Sequence, residues 1–141
     1  MTAEPRPPHP PAAEPRLAGE RGSASLELAV VFPVVMALIL LIVQAGIYWH
    51  ARTLALTAAQ EGLRSASVLR GSSQAGVAHA ADFLDRAGAD GWLTDRRAAA
   101  DRGSTSVTVT VTGRAISLVP GIAGLPVRQA ATGPVERPTA P

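Results

Sequence analysis

The chain contains no cysteine and no lysine among its 141 residues. Without cysteine there can be neither a disulfide framework nor a thiolate metal site, although this leaves the compartment open. Every permanently basic side chain is therefore arginine, which reads as genomic base-composition bias and not as a binding code. The formal charge of +2 is too small, and its arginines too dispersed, for a nucleic-acid footprint. Aromatic residues are scarce as well: Phe32, Tyr48, Trp49, Phe83 and Trp92, of which three lie in one apolar run or at its edge. A soluble portion with so few large side chains buries little apolar area and should be marginally stable alone.

What the chain does have is an unbroken stretch without charge over residues 28–49. At 1.5 Å per helical residue it reaches about 33 Å, enough to cross a bilayer core. Tyr48 and Trp49 stand at its end, followed by Arg52, where an aromatic belt would mark the far interface. A cleaved secretory signal would have a shorter apolar run, of about 7–15 residues, and a small-residue cleavage site, which is missing before Tyr48. A buried soluble helix rarely stays uncharged for this long. A generic single-pass anchor is the serious rival.

Glu27 separates an anchor from something more specific. A carboxylate near a helix N-terminus is mildly favoured by the helix dipole, and that is the ordinary account. The capping-box form of it fails on register, because a box opened by Ser23 needs its acid at position 26, where Leu26 stands. Placed about one turn inside the helix, an unpaired charge would cost a few kcal/mol in lipid. Glu27 therefore calls for a partner charge, and no basic residue inside the span supplies one. A new α-amino group would, if the chain were cut nearby.

Beyond the span the composition changes three times. The leader, residues 1–22, holds prolines at 5, 7, 8, 10, 11 and 15 and is expected to be disordered. A transmembrane helix is expected over 23–50 and an amphipathic continuation over 51–70, with Leu56, Ala59, Leu63 and Ala66 on one face. Gly62 weakens that helix by about 1 kcal/mol relative to alanine. Gly71-Ser72-Ser73 reads as a break, and residues 74–87 as a short helix ended by Gly88. Val107, Val109 and Val111 alternate with Ser106, Thr108, Thr110 and Thr112, the period of a strand with one apolar face. Gly113-Arg114 is expected to turn this strand into a second one over 115–119, stopped by Pro120-Gly121. These elements place a small α+β tail over 71–131 and an irregular, proline-rich C-terminus over 132–141. The expected fold class is thus a single-pass α-helical membrane protein carrying a short second helix and a small strand pair. His79 and Asp82, three residues apart, have metal or acid–base spacing but no third ligand or nucleophile. No enzyme, cofactor, metal or small-molecule substrate is expected.

Around Glu27 the order of residues resembles a known pattern. The segment RGSASLELAVVFPVVMALILLIVQAGIYWHARTLALTAAQEGLRSA is similar along its length to the TadE-like family of type IV pilin-related proteins. The shared features are a basic residue and Gly22, small residues from Ser23, Glu27 at the fifth position after the glycine, and an apolar run with the early Pro33. A polar Gln44 before Ala45-Gly46, then Ala51-Arg52 and a closing A-x-E-G-x-R-x-A, complete the set. Leu28 departs from it, since many such sequences carry an aromatic there, and Gln44 stands where a second acid is common. The resemblance implies a pilin-like, non-enzymatic pseudopilin of a tight-adherence (Flp-type) pilus system. A prepilin peptidase would process it between Gly22 and Ser23, and Glu27, Pro33, Gln44 and Gly46 would serve assembly. Its partners would be the lipid membrane, other pilins and pseudopilins, and platform proteins. Arg6, Arg16 and Arg21 before the span balance Arg52, Arg64 and Arg70 after it, so charge leaves orientation open. A cytoplasmic N-terminus and an extracytoplasmic tail come from the resemblance. The alternative is a signal-anchored envelope protein with a small binding tail.

Overall fold

The computed structural model describes residues 20–68 and 70–136; the expectations for most of the leader and for the last five residues fall outside these. The chain divides after Ala37. Helix α1, Glu20–Ser67, runs through both parts and is continuous across Pro33. The proline leaves the carbonyl of Ala29 without its helical donor, yet the helix does not melt there. The apolar stretch of α1 is long enough to cross a membrane, and its large apolar side chains from Leu28 to Val43 are exposed. That exposure removes the buried-core explanation for the run and fits a single-pass membrane protein.

The second part, Leu38–Pro141, holds everything else. Helix α2 spans Ser73–Arg86, with the Ser72 hydroxyl accepting from the Ala75 amide as its N-cap. A 3₁₀ turn at Ala89–Gly91 follows, entered through Gly88 at φ 64°, a left-handed position that glycine takes without a Cβ penalty. Three antiparallel strands then form one sheet in the order β1 (Leu93–Arg102), β2 (Ser106–Ala115), β3 (Pro126–Pro134). Val107, Val109 and Val111 are fully buried, so the β2 alternation works as expected. On the pair of strands β2 and β3, Thr108 lies opposite Thr132 and their hydroxyls are hydrogen-bonded at 2.9 Å.

The expected strand pair is instead a three-stranded sheet, and its details need correction. Strand β2 continues through Gly113 and Arg114 to Ala115 instead of turning there, and 116–119 forms no strand. Gly113 is small because the Leu93 side chain lies on it: a Cβ would come within 2.8 Å of Leu93 Cγ. The partner strand is β3, which extends into the region expected to be irregular. Its prolines, Pro126 and Pro134, occupy the first and last positions of an edge strand, where a missing N–H costs least. Beyond it, the Val135 amide donates to the Thr105 carbonyl and the Glu136 amide to that of Ser67.

The sheet lies lengthwise along α1. Near Ser67, Arg102 of β1 donates to the Ala66 and Val68 carbonyls, closing the helix C-terminus with a cation that also suits the dipole. At the other end, Gln44 meets the residues after β2. Helix residues 44–67 span about 35 Å and a ten-residue strand about 33 Å, so the two lengths match. The core between them is made mostly of alanine: Ala51, Ala55, Ala58, Ala59 and Ala66 from α1, Ala80 from α2. Leu56, expected inside, is exposed, and Leu63 is only partly buried. Small side chains let helix and sheet approach closely, which displaces the larger residues to the margins.

Candidate processing and assembly site

Gly22 and Ser23 lie in the first turn of α1, where the opening amides have no intrahelical acceptor and the helix is easiest to open. Glu27 follows one turn later on an exposed surface, and no cation pairs with it among the described residues. From there to Val43 the large apolar side chains, Phe32 and Leu41 among them, are exposed. An acid without a cation among the described residues is thus followed directly by an exposed apolar helix.

Gln44 does not stand free for such contacts. Its Nε2 donates to the Ile116 carbonyl at 2.9 Å, and its Oε1 accepts from the Leu118 amide at 3.0 Å. The amide expected to bond a neighbouring helix thus holds the chain's own β2–β3 loop, because the sheet is long enough to bring that loop back to residue 44. Gly46 contrasts with it: a Cβ there would meet nothing within 4 Å, so intrachain packing does not require the glycine. It opens an exposed stripe that continues through Trp49, Thr53, Leu56 and Gln60, positions three or four residues apart.

The tail carries a polar cluster that sequence reasoning missed. Arg96 on β1 pairs with Asp85 of α2 at 3.2 Å and with Asp90 of the 3₁₀ turn. The strand bulges between Thr94 and Arg97, with Asp95 at φ 51°. Arg96 is largely covered while both acids are exposed, so the cluster fastens β1 to α2 instead of offering free ligands. Its signal was invisible beforehand because β1 itself was not foreseen. His79 and Asp82 border a shallow exposed depression, and Asp82 pairs with Arg86 at 2.9 Å. No cluster of potential metal ligands occurs among the described residues.

A membrane-length apolar helix that continues as the spine of an α+β tail, with an acid at its start, fits a single-pass α+β protein. Residues 22–64 match the model of the TadE-like protein family, and this segment is a TadE-like one. Neither a curated protein nor a solved structure matches the chain.

Proposed function

We propose that the protein is a minor pseudopilin of a tight-adherence pilus system, processed by a prepilin peptidase between Gly22 and Ser23. The observation that carries this is the Gly22/Glu27 spacing at the start of an uncovered apolar helix. Cleavage would leave an ammonium on Ser23 at the lipid boundary. Glu27 would pair with the ammonium of an adjacent subunit as helices bundle, so that two charges costly in isolation relieve each other. The glycine of the exposed stripe supports the same reading, since small residues let membrane helices approach closely and Gly46 has no such role inside the chain. The leader would face the cytoplasm and the tail the outside. Pilins, pseudopilins and platform proteins would be the partners, with no enzymatic role for this chain.

Two measurements test it. Mass spectrometry of the protein extracted from membranes that contain the peptidase should find Ser23 as the mature N-terminus; an intact leader there refutes the processing step and leaves a plain anchor. Glu27→Gln should insert normally and keep the tail folded, but co-purify less with partner pilins and lower pilus yield by about tenfold, a loss of ~1.4 kcal/mol in association. Unchanged co-purification would rule out the charge-pairing role.

A further inference from the structure

We propose that the loop of residues 116–125 is seated in the lipid of the tail-side leaflet, giving the tail a second hold on the membrane beside its helix. Within the loop, Leu118, Val119, Ile122 and Leu125 are all exposed, with Ile122 at 61%. No charged residue occurs between Arg114 and Arg128. Four large apolar side chains on one short turn are a costly surface in water and a favourable one in hydrocarbon.

Lipid is the occupant because of where the loop is held. Its Ile116 carbonyl and Leu118 amide are bonded to Gln44, which belongs to the uncharged run and lies five residues before Trp49. Along a helix normal to the membrane those five residues descend about 7.5 Å below the level of the tryptophan. That depth falls within the roughly 5–10 Å by which interfacial segments enter the headgroup and acyl boundary. A second aromatic stands close by: the Trp92 carbonyl accepts from the Ile116 amide, and the Trp92 ring meets His50 edge-on at 4.7 Å. Trp92, from a distant part of the sequence, thus stands against the residue that follows Trp49, as residues gathered in an interfacial belt do. Arg114 and Arg128 are exposed at the same end of the sheet, opposite Pro126 and Thr112 respectively, at a level suited to lipid phosphates.

The loop's backbone fits this medium. The Ala115 amide donates to the Leu125 carbonyl, Ile122 to Val119, and Val119 to the Ser117 hydroxyl, while Arg114 covers the Gly124 carbonyl at 3.0 Å. Pro120 has no donor to satisfy. A loop in water has no need to pair so many of its own polar groups, whereas one at the edge of lipid does.

The absence of native cysteine makes the test direct. Full-length chains carrying Ile122→Cys, Leu41→Cys or Thr105→Cys are labelled with a nitroxide and placed in phosphatidylcholine/phosphatidylglycerol vesicles. Collision rates with oxygen and with a water-soluble nickel chelate are then compared at high and low protein density. The label at 122 should collide several-fold more with oxygen than with nickel, as at Leu41, and Thr105 in the β1–β2 hairpin should show the reverse. A label at 122 that behaves like the one at 105 overturns the proposal. So does one that is shielded only at high protein density, which would assign the loop to a second copy of the chain. The unprocessed protein is used, so the outcome is independent of cleavage after Gly22.

Discussion

Gly62→Ala should destabilise the tail, although helix propensity alone favours alanine by about 1 kcal/mol. A Cβ at 62 would sit 2.6 Å from the Gly76 carbonyl oxygen and 3.1 Å from both Ala80 and Val109. Gly76 is its counterpart, where a Cβ would lie 2.8 Å from that of Ala66. Here α1, α2 and β2 are at closest approach, and the obstacle is backbone that cannot rotate aside. Overpacking of this kind costs about 1–3 kcal/mol, which outweighs the propensity gain, and Gly62→Val should cost more. Urea unfolding of the full-length protein in detergent, followed by tryptophan fluorescence, should show a lower midpoint for Gly62→Ala and a lower one still for Gly62→Val. A midpoint raised by alanine would mean that this crossing is looser than described.

Leu93→Ala should be comparably damaging. Leu93 is among the few large side chains that are fully buried, with Val107, Val109 and Val111. Truncating such a leucine costs about 2–5 kcal/mol, and a core otherwise composed largely of alanine has few contacts with which to close the gap. Since small domains hold only about 5–15 kcal/mol in total, much of the tail's stability should vanish. Limited proteolysis in membranes should cut the variant readily between α2 and β3 while leaving the apolar part of α1 protected in lipid. Val68→Ala, at an exposed position outside the β2–β3 loop, is the control and should shift stability by no more than ~0.5 kcal/mol. Equal resistance of Leu93→Ala and the parent would show that the sheet does not depend on this contact.

Local pattern decided which parts of the fold were legible. The span, the break at Gly71–Ser73, α2 and the β2 alternation each carried a local pattern, and each formed close to its expected place. Strand β1 carried none: its sequence LTDRRAAADR is rich in residues that strands disfavour. It is a strand because it pairs with β2 and receives α2 on one face, information held by its neighbours. Gly113 and Gly62 misled for a shared reason. Glycine was read for its backbone freedom, as a turn and as a weak helix position, whereas both are glycine because another group lies where a side chain would go. At the site, Glu27 is exposed and a Cβ at Gly46 would meet nothing within 4 Å, but the use of Gln44 could not be seen until a loop 72 residues away was brought to it.

The sheet is tied to α1 at two widely separated points, through Gln44 at one end and through the Glu136 amide to Ser67 at the other. Two such ties prevent the tail from swivelling about its own spine. The ridge from Gly46 to Gln60 therefore keeps a fixed compass bearing relative to the sheet, and every copy of the molecule offers its neighbours the same handed pair of surfaces.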